Sequence, residues 1–303
     1  MALGSQPHLG VRLRDPACAD VFTALAEDVA PRVAAASGAK QAAAELLGRL
    51  RRWQQFLTAS RDGLSVEAQR GLWGELHVLR AHLLPALGAA ATVAGWKASA
   101  AAHQDFQFSG GAVEVKTTAA KQPQSVRITS ERQLDDTGVG VLFLHVVVVD
   151  EREVESSSLG NEALTESASA RGGTRRENQS LLTSAATRMG TSLPALIADT
   201  RYELSSDLIA LAAFNDRLLD RGWLDAHANR YEGRRWTVRR EHTFRVAHGF
   251  PRLMKADLPS GVGDVNYAVS LAVCAPFVTP AAVILATLSE SNSDRKRKSG
   301  RKQ

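Results

Sequence analysis

Between residues 17 and 58 apolar side chains return every three or four positions: Val21, Leu25 and Val29, then Leu46, Leu47, Leu50, Trp53, Phe56 and Leu57. That is helical periodicity, and Arg49, Arg51, Arg52, Gln54 and Gln55 fall largely on the other side. After a break at 58–63, Ser65 stands where an N-cap belongs, with Glu67 in the first turn, where a carboxylate meets the positive end of the helix dipole. The helix it opens is predicted to reach Leu84 and stop at Pro85. From Ala91 the period drops to two. Strands are predicted at 92–96, 105–108, 112–117, 125–129 and 141–149, with a tight Ser109-Gly110-Gly111 turn joining the second and third. The run Val141–Val149 is apolar on both faces, as a central strand covered by helices requires.

Residues 131–136 suit a short helical turn, and 151–180 are polar and read as a long loop. Helical spacing returns at 184–201 and at 208–221, the second closing at Gly222, before strands at 229–247 and 264–274. The expected fold class is α/β. Its parts are a helical N-terminal segment (1–62), a core (63–150), the polar loop (151–182), an α+β C-terminal region completing or packing on the core (183–288) and a basic tail (289–303).

Composition changes this picture in two places. The net charge of +5 is carried entirely by the stretch from Asp294 onward, where six basic residues face one acid, so the rest of the chain is neutral. A basic body therefore does not argue for nucleic acid; the tail adds at most sequence-independent phosphate attraction. The two cysteines, Cys18 and Cys274, have small or apolar neighbours and show no zinc-binding spacing, so they are expected to fill space in a reduced protein without structural zinc. Residues 1–16 lack the apolar run of a secretory signal, and no apolar stretch is long and unbroken enough to span a bilayer. The expected location is the cytoplasm, without a membrane partner.

Chemistry concentrates between 71 and 118. In Ala112-Val113-Glu114-Val115-Lys116-Thr117, alternation puts Glu114 and Lys116 on one face and the valines on the other. A hairpin closed at 109–111 brings Asp105 toward Glu114. Two carboxylates at a sheet edge form a hard oxygen site suited to Mg²⁺. A lysine one strand step away balances phosphate charge and positions, or helps deprotonate, a water. On the preceding helix Glu75 borders the Leu72, Leu76, Leu79, Leu83 stripe, with Gly71 and Gly74 nearby. Two glycines inside a helix, each costing up to ~1 kcal/mol against alanine, imply close approach of a strand or a substrate.

Gly71-Leu-x-Gly-Glu75-Leu, Gln104-Asp105-Phe106 and Val113-Glu114-Val115-Lys116-Thr117 resemble the PD-(D/E)XK nuclease superfamily, and within it a bacterial family of PD-(D/E)XK motif proteins found near restriction and phage-defence genes. The likeness extends over residues 15–285, including Gly249-Phe-Pro-Arg252, Leu258-Pro-Ser-Gly-Val262 and Val265-x-Tyr267. It implies a restriction-endonuclease-like core, a mixed sheet flanked by helices with the site at one sheet edge. By the family pattern Asp105 and Glu114 bind metal, Lys116 is catalytic, and Glu75 supports metal or water. The cofactor implied is Mg²⁺, with Mn²⁺ as a substitute, and the reaction is DNA phosphodiester hydrolysis. The expected partners are DNA, other proteins of a multi-gene defence system and a second copy of the chain. A catalytically silent scaffold on the same fold is the alternative. Gln104 stands where the family's proline usually precedes the aspartate; that proline shapes a turn and carries no ligand.

Gln133, on the predicted short helix, occupies a place where related nucleases put a polar substrate contact. Residues 217–255 hold ten basic residues against four acids. Within 235–246, strict alternation places Trp236, Val238, Phe244 and Val246 on one face and Arg235, Arg239 and Arg245 on the other, a candidate phosphate-binding face or a soluble edge. His145 reads as a core histidine, His77 and His82 as helix surface, and His103 as near the site edge.

Overall fold

The computed structural model describes residues 10–14, 16–59, 63–97, 102–154, 190–263 and 265–289. Most of the predicted polar loop, the start of the helix expected at 184 and the basic tail lie outside them. The chain divides into two compact units, Met1–Leu64 with Gly222–Asn229, and Ser65–Arg221 with Arg230–Gln303. Among the described residues no helix is long and apolar enough to cross a membrane.

The first unit pairs helices α1 (Ala19–Ala34) and α2 (Ala39–Ala59). Arg49, expected on the polar side of α2, is buried. Its guanidinium binds the Asp28 carboxylate through two nitrogens, at 2.5 and 2.9 Å, and Trp53 Nε1 donates to the same group at 3.0 Å. A buried charge is tolerated when paired and hydrogen-bonded, as Arg49 is here.

The second unit is built on a curled five-stranded mixed sheet flanked by helices, consistent with a restriction-endonuclease-like fold. Its strands are β1 (Phe106–Phe108), β2 (Gly111–Thr118), β4 (Leu142–Glu153), β5 (Thr191–Ser192) and β6 (Arg234–Val246), in the order β1-β2-β4-β6-β5. Among the described residues only β2 and β4 of this sheet run parallel. Leu142, Leu144, Val146 and Val148 of β4 enter a core closed by a separate two-stranded ribbon, β3 (Ser125–Ile128) with β7 (Tyr267–Ser270). Strand β7 is shorter than the predicted 264–274 because residues 271–277 wind into a 3₁₀ helix around the buried Cys274; Cys18 is exposed. The C-terminal helices are α6 (Leu193–Leu204), α7 (Leu208–Asp220) and α8 (Ala281–Ser289).

Helix α3 (Val66–Val78) starts as expected, with Ser65 Oγ accepting from Ala68 N–H. Pro85 does not stop it. The chain passes through a π-helical turn, Leu79–Leu83, closed by a bond from Leu84 N–H to Leu79 O, and continues as α4 (Leu84–Leu87). Proline has no N–H for the carbonyl four residues back, and the widened turn just before it absorbs that loss. Gly88, at φ 77°, ends α4 and admits α5 (Ala89–Gly95) where a strand was expected at 92–96. The Ala89-Ala90-Ala91 start favours helix, and burial of Thr92 and Val93 overrides their preference for a strand.

The alternation expected along β6 is broken once. Val148 pairs with Arg240 and Val149 with Val238, leaving Arg239 as the extra residue of a β-bulge. Trp236 and Val238 therefore share a face with Arg245, while Phe244 and Val246 share the other with Arg235. A single continuous arginine face does not form.

Candidate active site

Along β2, strand β1 pairs with Gly111–Val113 and no further. Among the described residues no strand pairs with the outer edge of β2 from Glu114 onward, and Asp105 takes over: its Oδ2 accepts from Val115 N–H at 2.9 Å. The free edge opens into a cleft of about 600 Å³, walled on one side by α3 and on the other by the β3–β7 ribbon. Glu75, Asp105, Glu114, Lys116 and Gln133 all line it, so residues spread over 59 positions of the sequence converge.

Gly74 explains how α3 comes so close. A Cβ there would overlap Thr117 Oγ1 and lie 2.9 Å from Thr117 Cβ, so only glycine lets the helix rest on β2. Gly71 meets nothing within 4 Å and lies on the cleft wall. One glycine serves the strand and the other leaves the cleft open.

Glu75 is buried and receives Trp96 Nε1 at 2.9 Å. Arg221, at the C-terminus of α7, places one nitrogen 2.5 Å from Glu75 Oε2 and 2.7 Å from Asp105 Oδ1. Glu114 is almost completely buried; its Oε1 lies 2.8 Å from Lys116 Nζ, while Oε2 has no hydrogen-bond partner among the described residues. Lys116 Nζ also donates to Gln133 Oε1 at 2.9 Å, and the same oxygen accepts from Thr129 N–H at 2.9 Å.

Burial, reinforced by the Asp105 charge, pushes Glu75 up to about 7 against the lowering pull of Arg221 and Trp96. The same two causes push Glu114 up to about 8 despite Lys116. For Lys116 burial favours the neutral form, but Glu114 and Asp105 outweigh it and raise the ammonium above its ordinary value. Too many carboxylates share too little water, so the pocket favours added positive charge. An all-oxygen donor set with an unpartnered buried Oε2 fits a hard divalent cation.

The supports of this site were only partly foreseen. Gln104, in the proline's place, donates through Nε2 to Arg132 O and Asp135 O and accepts from Gln107 Nε2, so hydrogen bonds shape the turn instead of a ring. The 3₁₀ turn Glu131–Leu134 that presents Gln133 is pinned from the C-terminal region. Arg252 donates to Leu134 O at 2.7 Å and pairs with Asp136, and buried Glu131 accepts from Val265 N–H. Trp96, Arg221 and Arg127, which lines the cleft from β3, were missed. Period two in Ser125-Val-Arg-Ile marked Arg127 as pointing away from the core; nothing local marked Arg221 or Trp96.

Arg235, Arg239 and Arg245 do not line this cleft. Arg239 borders a separate hollow with Lys121 and Arg240 and pairs with Asp150 at 3.5 Å. Arg245 is exposed, and Arg235 lies against Gly190 O. His103 is exposed and faces another hollow, beside Gln104 and Arg132.

The family described as "Putative PD-(D/E)XK family member, (DUF4420)" matches residues 2–170 and 179–272. The chain belongs to this family. Among curated proteins and among solved structures nothing matches. Membership in a PD-(D/E)XK family points to a nuclease, a class that generally uses divalent metals and would bind DNA. Both stretches matched contribute to the cleft: the first carries Glu75 through Gln133, the second Arg221 and Tyr267.

Proposed function

We propose that the chain is a Mg²⁺-dependent nuclease that hydrolyses phosphodiester bonds of DNA, with Asp105, Glu114, Lys116 and Glu75 as its working residues. The observation that carries this reading is the convergence of three carboxylates and one ammonium at an unpaired strand edge. Asp105 and Glu114 would hold the cation, with Glu75 completing the oxygen set; Mn²⁺ would substitute. When bound, the cation supplies Lewis acidity to the scissile phosphoryl group and lowers the pKa of water beside it.

The protein's own groups do the rest. Lys116, kept protonated by its acidic neighbours, supplies a charged donor for a non-bridging phosphate oxygen and orients the attacking water. Gln133 holds the ammonium in place. Arg127, at the cleft wall, offers a contact for a neighbouring phosphate. Burial raises the Glu75 and Glu114 carboxyls, so positive charge entering the site favours their ionised form.

On this reading the chain is a cytoplasmic cleavage component of a restriction or defence system, working with partner proteins. Cutting both strands calls for two such sites, hence a homodimer, which equilibrium sedimentation with and without DNA would refute by giving the mass of one chain. One observation favours the second reading, a silent DNA-binding or scaffold module: Arg221 already neutralises part of the acidic cluster. Plasmid cleavage in Mg²⁺ or Mn²⁺ separates the two. Wild type is expected to cut while Lys116→Ala and Asp105→Ala do not; equal inertness of all three with every partner supplied would defeat the enzymatic reading.

A further inference from the structure

On the opposite face of the sheet from Glu114 and Lys116 lies a second polar cluster. His145 pairs in register with Val115, so it projects to the side that α3 covers. There Glu241 of β6 presents one carboxylate oxygen, Oε1, to three imidazoles. His77 Nε2 lies 3.1 Å away, His82 Nε2 3.0 Å and His145 Nε2 3.3 Å.

This is an odd arrangement for hydrogen bonding alone. A carboxylate oxygen has two lone-pair directions, so three imidazole donors cannot all be well served by it. It suits a cation better. Zinc–nitrogen bonds of about 2.05 Å in a tetrahedron set neighbouring ligand atoms about 3.3 Å apart, close to the 3.0 and 3.1 Å found for His82 and His77. One ligand atom from each of His77, His82 and Glu241 lies within 4.8 Å of the others.

The backbone is arranged for this meeting. Residues five apart on a regular α-helix stand about 140° apart around the axis. His77 and His82 are so spaced, yet both face Glu241, because the π-helical turn Leu79–Leu83 widens the helix between them. Such turns are frequent at functional sites. The rings are also held. Trp73 stacks on His77 with centroids 5.4 Å apart and planes 2° from parallel, and Thr243 Oγ1 lies 2.7 Å from His145 Nδ1. A hydrogen bond to the far nitrogen orients an imidazole near a metal, and here it steadies the group behind Glu241. His77, His82 and Glu241 are partly exposed, which leaves an ion a route in.

We propose that His77, His82 and Glu241 form a divalent transition-metal site of the Zn²⁺ class, backed by His145, that clamps α3 and its π turn to β6. It is separate from the acidic cleft in residues, in sheet face and in ligand type: two imidazoles and one carboxylate select Zn²⁺-like ions over Mg²⁺. The proposal does not depend on the nuclease reading.

The test uses the full chain stripped with EDTA and carrying Asp105→Asn and Glu114→Gln, which silence the acidic cleft. Titration with Co²⁺ is expected to give one ion per chain with visible ligand-field bands of a low-coordinate nitrogen site, displaced by Zn²⁺. His82→Ala and Glu241→Gln should weaken uptake at least about 100-fold. Zn²⁺ should raise the melting temperature of the parent and leave that of His82→Asn unchanged, with circular dichroism confirming that this variant is folded. No bands in molar excess of Co²⁺, or equal uptake and equal thermal response in parent and folded variants, would overturn the site.

Discussion

Arg221 lies 2.5 Å from Glu75, and the same guanidinium nitrogen reaches Asp105 at 2.7 Å, so one arginine at the end of a C-terminal helix ties together two acids of the cleft. Its Nε is buried without a hydrogen-bond partner among the described residues, so the fit is dictated by the acids and not by a full set of bonds. Removing one partner of a buried ion pair leaves the others uncompensated, at a cost of about 3–5 kcal/mol. Arg221 retains some exposure, so Arg221→Met is expected at the low end of that range in metal-free protein. Divalent cation should restore more stability to this variant than to wild type, because it meets the same carboxylates. Thermal melts with and without Mg²⁺ check this; equal Mg²⁺ shifts would show that Arg221 and the cation do not answer the same charges.

Lys116 and Gln133 are expected to separate chemistry from orientation. Lys116→Met should lower DNA cleavage about 10³-fold with little change in DNA affinity, within the usual span for a proton-handling or charge-balancing group. Gln133→Ala leaves the ammonium in place but loosens it, and should cost about tenfold in kcat with KM unchanged. Steady-state kinetics on a defined duplex would decide; a KM effect for Gln133→Ala would make it a substrate contact instead.

The two glycines of α3 should respond in opposite ways to alanine. Gly74→Ala forces a Cβ into Thr117 and is expected to cost about 1–3 kcal/mol, as overpacking does. Gly71→Ala meets open space and should gain up to about 1 kcal/mol from helix propensity. Urea denaturation of both variants tests the pair, and a stable Gly74→Ala protein would contradict the close helix–strand approach.

Acid should act on the N-terminal helical unit through Asp28. Burial alone would raise this carboxyl, but hydrogen bonds from Arg49 and Trp53 and the charges of Arg49 and Arg32 hold it below its ordinary value of 3.8. A carboxyl lowered on folding contributes stability that is present above its unfolded pKa and is lost as pH falls through its folded one. Asp28→Asn is therefore expected to cost about 1 kcal/mol at pH 7, a value kept low because the site is part-exposed. The gap to wild type should narrow at pH 3. Urea titrations followed by helical circular dichroism at the two pH values measure it, and a gap of equal size at both would remove Asp28 as the cause.

Much of the cleft is legible in the sequence because its parts are local. Alternation alone put Glu114 and Lys116 on one face of β2, and the Ser109–Gly111 turn returned Asp105 to that strand. Where local rules failed, a longer-range condition had intervened. The stretch 92–96 has strand-like residues but is packed as α5, Pro85 was absorbed by a π turn, and the bulge at Arg239 reversed the faces of half of β6. That last change dispersed the arginine face expected from strict period two.

By itself, the sequence determined the α/β class, the acid–lysine pattern and the glycine-flanked Glu75, since each rests on spacing within one or two neighbouring elements. The tertiary structure alone decided that Arg221, 146 residues from Glu75, closes the acidic cleft. It alone set Glu241, more than 150 residues from His77 and His82, between their rings. Side-chain periodicity carries information over a few turns of helix or one hairpin, whereas these meetings depend on how whole elements stack, and no local pattern records that.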